Sequence, residues 1–359
     1  MELISVKSGN REVIRIFEKG YNYSLGYYSE NCWVDDDRLV LSRGRKLPED
    51  KFYGGTDLVL VDLKNKSEKV LYHEDGRYII YSHLVYGNTL YYVENRKALC
   101  SINVDSLEHK KIYENGDYIV APHITADGRY LNWFNMDDDL DKEVSTCWRI
   151  DLKTGEVIKM FKKGFMPPYK TANHMMICPT NPDLIFFSHE GATTYIANRL
   201  WLAPLGKEPY NIAKQRLDEN GNLIDCFGHE SWAADGKGIY FVKYFVSPSK
   251  PTGIGYVDLE SREPRTLYTK YKYWHVCAAP NGKYLAADLG PNDLDENDMG
   301  DSGICLIDTQ NNTEEIIAKV KNTRSHPGHP HPQFSLSSNK ICYHNAVDTD
   351  TLAVDIIKI

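Results

Sequence analysis

The chain lacks the signatures of several large function classes. Its eight cysteines, at 32, 100, 147, 178, 226, 277, 305 and 342, include no C-x-x-C pair and fall mostly in apolar runs. Such scatter gives neither a zinc ribbon nor a disulfide framework, so the cysteines are expected to be reduced core residues of a cytoplasmic protein. No apolar run is long enough to span a bilayer, and the opening MELISVKSGNREVI is too polar for a secretory leader. Positive charge is short as well. Lys and Arg number 42 against 50 Asp and Glu, a net charge of −8, which excludes broad charge-driven binding to nucleic acid or to an anionic membrane. No G-x-S-x-G elbow is present, and PTGIGY (251–256) lacks the strand–helix context of a phosphate cradle. The acidic stretch DLDEND (293–298) has Asp298 where a calcium loop needs glycine and Ile304 where it needs glutamate.

What the sequence does have is aromatic strand formers, with 25 Tyr and 11 Phe, and a repeat. A turn, an apolar strand, a polar loop, a second strand ending in Asp and a third strand recur along the chain. The pattern is plain in ADGRYLNWF…CWRIDLKTGEVIKMF (126–161), ADGKGIYFV…IGYVDLESREPRTLY (234–268) and PNGKYLAAD…GICLIDTQNNTEEIIAKV (280–320). Counting weaker copies, seven units begin near 36, 87, 126, 181, 234, 280 and 337. Four-stranded units at this period predict an all-β fold, a single seven-bladed β-propeller domain over 1–359. The last unit stops one strand short, and EVIRIFE (12–18) is expected to complete it and close the ring.

The repeat places the histidines. His83, His123, His174, His229, His275 and His331 open the innermost strands of six units, at spacings of 40, 51, 55, 46 and 56. Such strand starts converge on one mouth of a propeller, and His189 and His344 end second strands that run back to the same face. A cluster of neutral imidazoles favours Mn, Fe, Co, Ni or Zn over Ca or Mg. RSHPGHPHPQF (324–334) puts His326 and His329 on a loop stiffened by proline, leading into His331, beside His275 of the neighbouring unit. His275, His326, His329 and His331 are therefore the expected metal ligands. Arg43, Arg45 and Lys46 follow the second strand of the first unit and could meet an anionic chain.

At the H-P-H-P segment, H-E-G (189–191), NRLWL (198–202), G-H-E-S-W (228–232) and WHVCAAPNG (274–282), the chain resembles the oligogalacturonate lyases. The match in order and spacing covers roughly residues 170 to 345. The resemblance implies a cytoplasmic seven-bladed propeller using a divalent metal, typically Mn, held by three histidines and a glutamine. His275, His329 and His331 fall on the histidine positions, and His326 stands where the glutamine is. The resemblance also assigns the base to His229 and a substrate-contacting arginine to Arg199, with His174 and His189 as further substrate-binding candidates.

That chemistry suits those residue types. Eliminative cleavage of a uronate chain removes a barely acidic C5 proton beside a carboxylate and expels the C4 oxygen. A cation on the carboxylate spreads the developing charge, a guanidinium adds a planar fork for it, and a neutral imidazole can take the proton near pH 7. The expected partner is a short acidic oligosaccharide. Three alternatives stay open at this point: a lyase for another uronate glycan, a metal-dependent hydrolase, and a non-catalytic protein-binding propeller.

Overall fold

The computed structural model describes residues 1–26, 31–45, 56–74, 82–136, 144–290, 299–323 and 328–359. Among these, every regular element is a β-strand, and no helix is long and apolar enough to cross a membrane. The chain is all-β. The acidic stretch at 293–298 lies outside the described residues.

Five four-stranded antiparallel sheets cover 83–114, 118–163, 172–211, 227–268 and 273–323, each a meander of sequence neighbours. The remaining strands join one nine-stranded sheet. In it Asn22–Ser24, Arg38–Gly44, Asp57–Asp62 and Ser67–His73 form one antiparallel run. Gln333–Phe334, Lys340–Asp348, Thr351–Lys358 and Arg11–Phe17 form another. A single parallel contact, Leu352 with Asn22, links the two. The strand expected to complete the last unit does pair with the final strand: Val13 lies opposite Ile357 and Ile16 opposite Val354. A further strand, Glu2–Ser8, pairs outside it and was not foreseen.

By contacts the chain divides into two compact units, 1–113 with 277–359, and 114–276. The division falls inside the strand Tyr273–Ala278, which is common to both. In the first unit, one apolar cluster gathers Ile16, Tyr23, Trp33, Leu39, Val354 and Ile356. The terminal strands are thus tied by burial as well as by hydrogen bonds. Arg15 adds a bidentate pair to Asp355 directly opposite, at 2.7 and 2.8 Å. In the second unit, Phe134, Phe161, Met175, Ile185 and Phe187 pack between adjacent sheets. All eight cysteines are free, seven of them buried, as their apolar settings required.

The repeated turns share one geometry. Gly128, Gly236 and Gly282 sit at φ of 71°, 69° and 70°, and each donates its amide to the carbonyl three residues back, at 2.9 Å. Left-handed backbone at that point explains the A-D-G and P-N-G signatures at the strand starts.

Replacing Ile16 by Ala should lower unfolding stability by about 2–5 kcal/mol, because the side chain is fully buried between the terminal strands. Replacing Ile14, which is 39% exposed on the other face of the same strand, should change it by less than about 0.5 kcal/mol. Urea denaturation of both variants measures the difference.

Candidate active site

In three consecutive sheets the first strand carries a β-bulge at the same phase. The register shifts between Val120 and His123, between Asn173 and Met176, and between Gly228 and Ser231. Each bulge contains a left-handed residue that is not glycine: Ala121 (φ 33°), His174 (54°) and His229 (48°). His331 has the same conformation, φ 43°, just ahead of Gln333–Phe334. His123 is therefore not the counterpart of His174 and His229. It lies two residues past its bulge, where the other sheets have Met176 and Ser231. There burial pushes its imidazole down to about 4. His83 is likewise a core residue, its Nε2 3.0 Å from the Val40 carbonyl. His344 lies mid-strand in Lys340–Asp348, not at a strand end.

The second unit places three of the quoted sequence segments around one buried guanidinium. Arg199, 3% exposed, donates from Nε to Glu230 at 2.6 Å and from both terminal nitrogens to Glu190 at 3.3 and 3.4 Å. Burial works against its charge, but Glu230 and Glu190 hold its pKa well above the ordinary arginine range. Glu230 is fully buried and also accepts from the Ser188 hydroxyl at 3.0 Å. Burial alone would raise its pKa, yet Arg199 and then His174 hold it far below the usual carboxylate range. His174 sits between the acids, Nδ1 3.6 Å from Glu230 and Nε2 3.7 Å from Glu190. The Arg199 amide donates to the Gln215 side chain at 2.9 Å.

His229 precedes Glu230 and faces elsewhere. Its ring centroid is 3.8 Å from that of His275, edge to face, and 5.7 Å from that of Tyr244. Burial, then His275 and Arg199, push its pKa well below the usual histidine value, so the imidazole is neutral near pH 7. Gly228 is required beside it, since a Cβ there would stand 2.6 Å from the Tyr244 hydroxyl.

His275 lies in the shared strand Tyr273–Ala278 and meets the H-P-H-P segment. One nitrogen each from His275, His329 and His331 lies within 4.8 Å of the other two. All three side chains are at most 9% exposed. Nitrogens around one tetrahedral ion bonded at ~2.0–2.1 Å are roughly 3.4 Å apart, so small ring rotations would let a single first-row cation bind all three. The residues fit a divalent metal. Buried hydrogen bonds fix the backbone that carries them. The His331 amide donates to Asp288 at 3.1 Å. His344 Nε2 accepts from the Leu25 amide at 2.8 Å, which leaves Nδ1–H to donate to the His329 carbonyl at 2.9 Å. Burial pushes that imidazole down to about 4, so it keeps this neutral tautomer.

The other candidates fall apart from these groups. Arg43 is paired with Asp57 at 2.6 Å, directly across the strands, and with Glu68. His189 is stacked on Phe165, with its ring nitrogens 2.9 Å from Asn198 Oδ1 and 2.8 Å from the Tyr169 carbonyl. It lines a cavity of about 460 Å³ with Tyr169, Tyr195, Asn198, Lys214 and Gln215. His326 and Lys46 lie outside the described residues. Glu190, Glu230, Gln215, Asp288 and the His344 contacts were not foreseen. The only sequence signal was a glutamate after the histidine in both H-E-G and G-H-E-S-W.

No family model matches the chain. Among curated proteins it is similar to the oligogalacturonide lyase of Pectobacterium atrosepticum, 22% identical, and to the oligogalacturonate lyase of Dickeya dadantii, 23% identical. Each alignment covers 94% of this chain and 90% of the relative. Over nearly its whole length the chain is similar to oligogalacturonate lyases. Among solved structures, an oligogalacturonate lyase in complex with manganese shares the fold with a TM-score of 0.81 at 18% identity, covering 100% of this chain and 96% of that one.

Glu230→Gln should cost about 3–5 kcal/mol of unfolding stability at pH 7, because it leaves Arg199 buried with half its counter-charge. The folded-state pKa of Glu230 is depressed, so its contribution is present above the unfolded value near 4.5 and is lost as pH falls below it. The stability gap between the natural protein and Glu230→Gln should therefore stay level in urea titrations from pH 7 to about pH 5 and narrow from there down to pH 3.

Proposed function

We propose that this chain is a metal-dependent lyase that cleaves short oligogalacturonates by β-elimination. The observation that carries this reading is a neutral, buried His229 packed against His275, itself one of three convergent imidazoles. The similarity to lyases over nearly the whole chain supports it. His275, His329 and His331 would hold the cation. Bound there, a divalent ion, Mn first and Fe, Co, Ni or Zn as alternatives, acts as a Lewis acid on the uronate carboxylate beside the C5 proton.

His229 is the proposed base. Its ring nitrogen takes the C5 proton, the electron pair forms the C4=C5 double bond, and the C4 oxygen leaves with the shortened chain. A buried imidazole held neutral accepts a proton at pH 7 without first losing one. Arg199 has a different part from that implied by the family resemblance. With two carboxylates on its guanidinium it is a positioning residue: it orients Glu230, which stands in ion-pair range of His174. The cavity at Tyr169, Tyr195, Asn198 and Lys214 suits a further sugar acid, with aromatic faces for the ring and an ammonium for its carboxylate.

The same reading takes the seven four-strand groups as blades of one propeller domain, closed by the pairing of Arg11–Phe17 with Thr351–Lys358. The repeat and the shared fold of the manganese-bound lyase support it. Free, buried cysteines favour work in the cytoplasm.

With Mn and digalacturonate, the purified protein should generate the ultraviolet absorbance of an unsaturated uronate. His229→Ala should lower kcat by about 10²–10⁴-fold while retaining bound metal by elemental analysis. His331→Ala should lose both. Products without a double bond would point to hydrolysis, and no turnover of any uronate oligomer with Mn, Co, Ni or Zn would reject the lyase.

A further inference from the structure

A second set of ligating side chains lies in the sheet over 83–114. Glu94 ends the strand Thr89–Glu94, Cys100 lies in Ala98–Asn103, and His109 opens His109–Glu114. A carboxylate oxygen, the Cys100 sulfur and an imidazole nitrogen are all within 4.8 Å of one another. The register explains the meeting. Cys100 pairs with Tyr92 and Ala98 with Glu94, so Tyr92, Glu94 and Cys100 share one face of the sheet.

A second carboxylate lies beside this group. Glu74, 3% exposed, accepts from the Tyr72 hydroxyl at 3.0 Å and from the Asn95 amide at 3.1 Å. Tyr72 packs on Tyr92 at 4.6 Å and also bonds to Glu94. Burial, followed by Glu74 and Glu94, pushes the Tyr72 phenol far above its usual range. Phenols and a backbone amide meet these two acids. The Glu94 carboxylate, the fully buried Cys100 thiol and the His109 imidazole form a donor set that a small divalent ion would satisfy.

We propose that Glu94, Cys100 and His109 bind a thiophilic divalent cation of the zinc class, apart from the three-histidine group. Sulfur, nitrogen and carboxylate oxygen are all zinc ligands, and thiolate selects against Mg and Ca. The Tyr92 hydroxyl, 2.9 Å from His109 Nε2, orients the imidazole. His109 is exposed, so solvent supplies the fourth ligand. The ion clips three successive strands of one sheet. It takes no part in the proposed lyase reaction.

Cobalt titration of the full-length protein tests this, because the three-histidine group contains no sulfur. A thiolate-to-cobalt charge-transfer band should appear, saturate by two equivalents with the three-histidine group taking the other, and disappear on adding zinc. Cys100→Ser should abolish the band, and Glu94→Gln, at a partly exposed position, should weaken apparent cobalt affinity about tenfold or more. Lack of the band in the natural protein overturns the proposal, as does its persistence in Cys100→Ser. Should Cys100→Ser not fold, an undiminished band in both Glu94→Gln and His109→Ala overturns it equally. Loss of lyase activity alone bears on the histidine site, not on this one.

Discussion

A residue held at positive φ costs any side chain but glycine on the order of 1–3 kcal/mol, and such strain persists only where the surroundings enforce it. The chain accepts it at His174 and His229, near the start of their strands, and at His331, just ahead of Gln333–Phe334. At one of these bulges Glu230 turns to Arg199 and Ser188, while His229, one residue earlier, lies against His275. The proposed base and the anchor thus come from adjacent residues of one strand.

The anchor is an ion pair in a place where ion pairs are poor sources of stability. Taking Arg199 and Glu230 out of water costs several kcal/mol per ion, and their attraction offsets this only with good geometry. What the pair supplies is orientation. It ties H-E-G, NRLWL and G-H-E-S-W together through Glu190, Arg199 and Glu230. It also leaves a fixed positive charge near His229, which together with burial keeps that imidazole neutral. The backbone at His329 and His331 is held by hydrogen bonds: the His331 amide to the Asp288 carboxylate, and the single tautomer of His344 to the His329 carbonyl. Ion pairs fix the strand of the proposed base, and hydrogen bonds to the backbone fix the proposed ligands.

Much of this was legible in the residues. Period-two alternation and recurrent A-D-G turns gave the strands, and the incomplete last unit foretold the pairing of Arg11–Phe17 with Thr351–Lys358. The phase of the histidines brought His275 to His329 and His331. It failed for His123, because counting residues along a repeat cannot see which one occupies the bulge. Glu190 and Glu230 escaped because their partners, Arg199 and His174, lie on or next to other strands and no local pattern joins them. Arg43 looked available to an anionic chain, yet its counter-ion Asp57 sits opposite in register, visible only once the two strands are aligned. The support of His329 by His344 depends on the Leu25 amide, 319 residues away in sequence, which no local pattern encodes.

The proposed cation would be held by imidazoles from the strand Tyr273–Ala278 and from the segment around His329 and His331. Pulsed electron paramagnetic resonance of the manganese-loaded protein, with ¹⁵N-labelled histidine, counts such ligands directly. The account predicts couplings from at least three imidazole nitrogens, one of which vanishes in each of His275→Ala and His329→Ala. Manganese bound with no histidine coupling, or with couplings untouched by both substitutions, would contradict it.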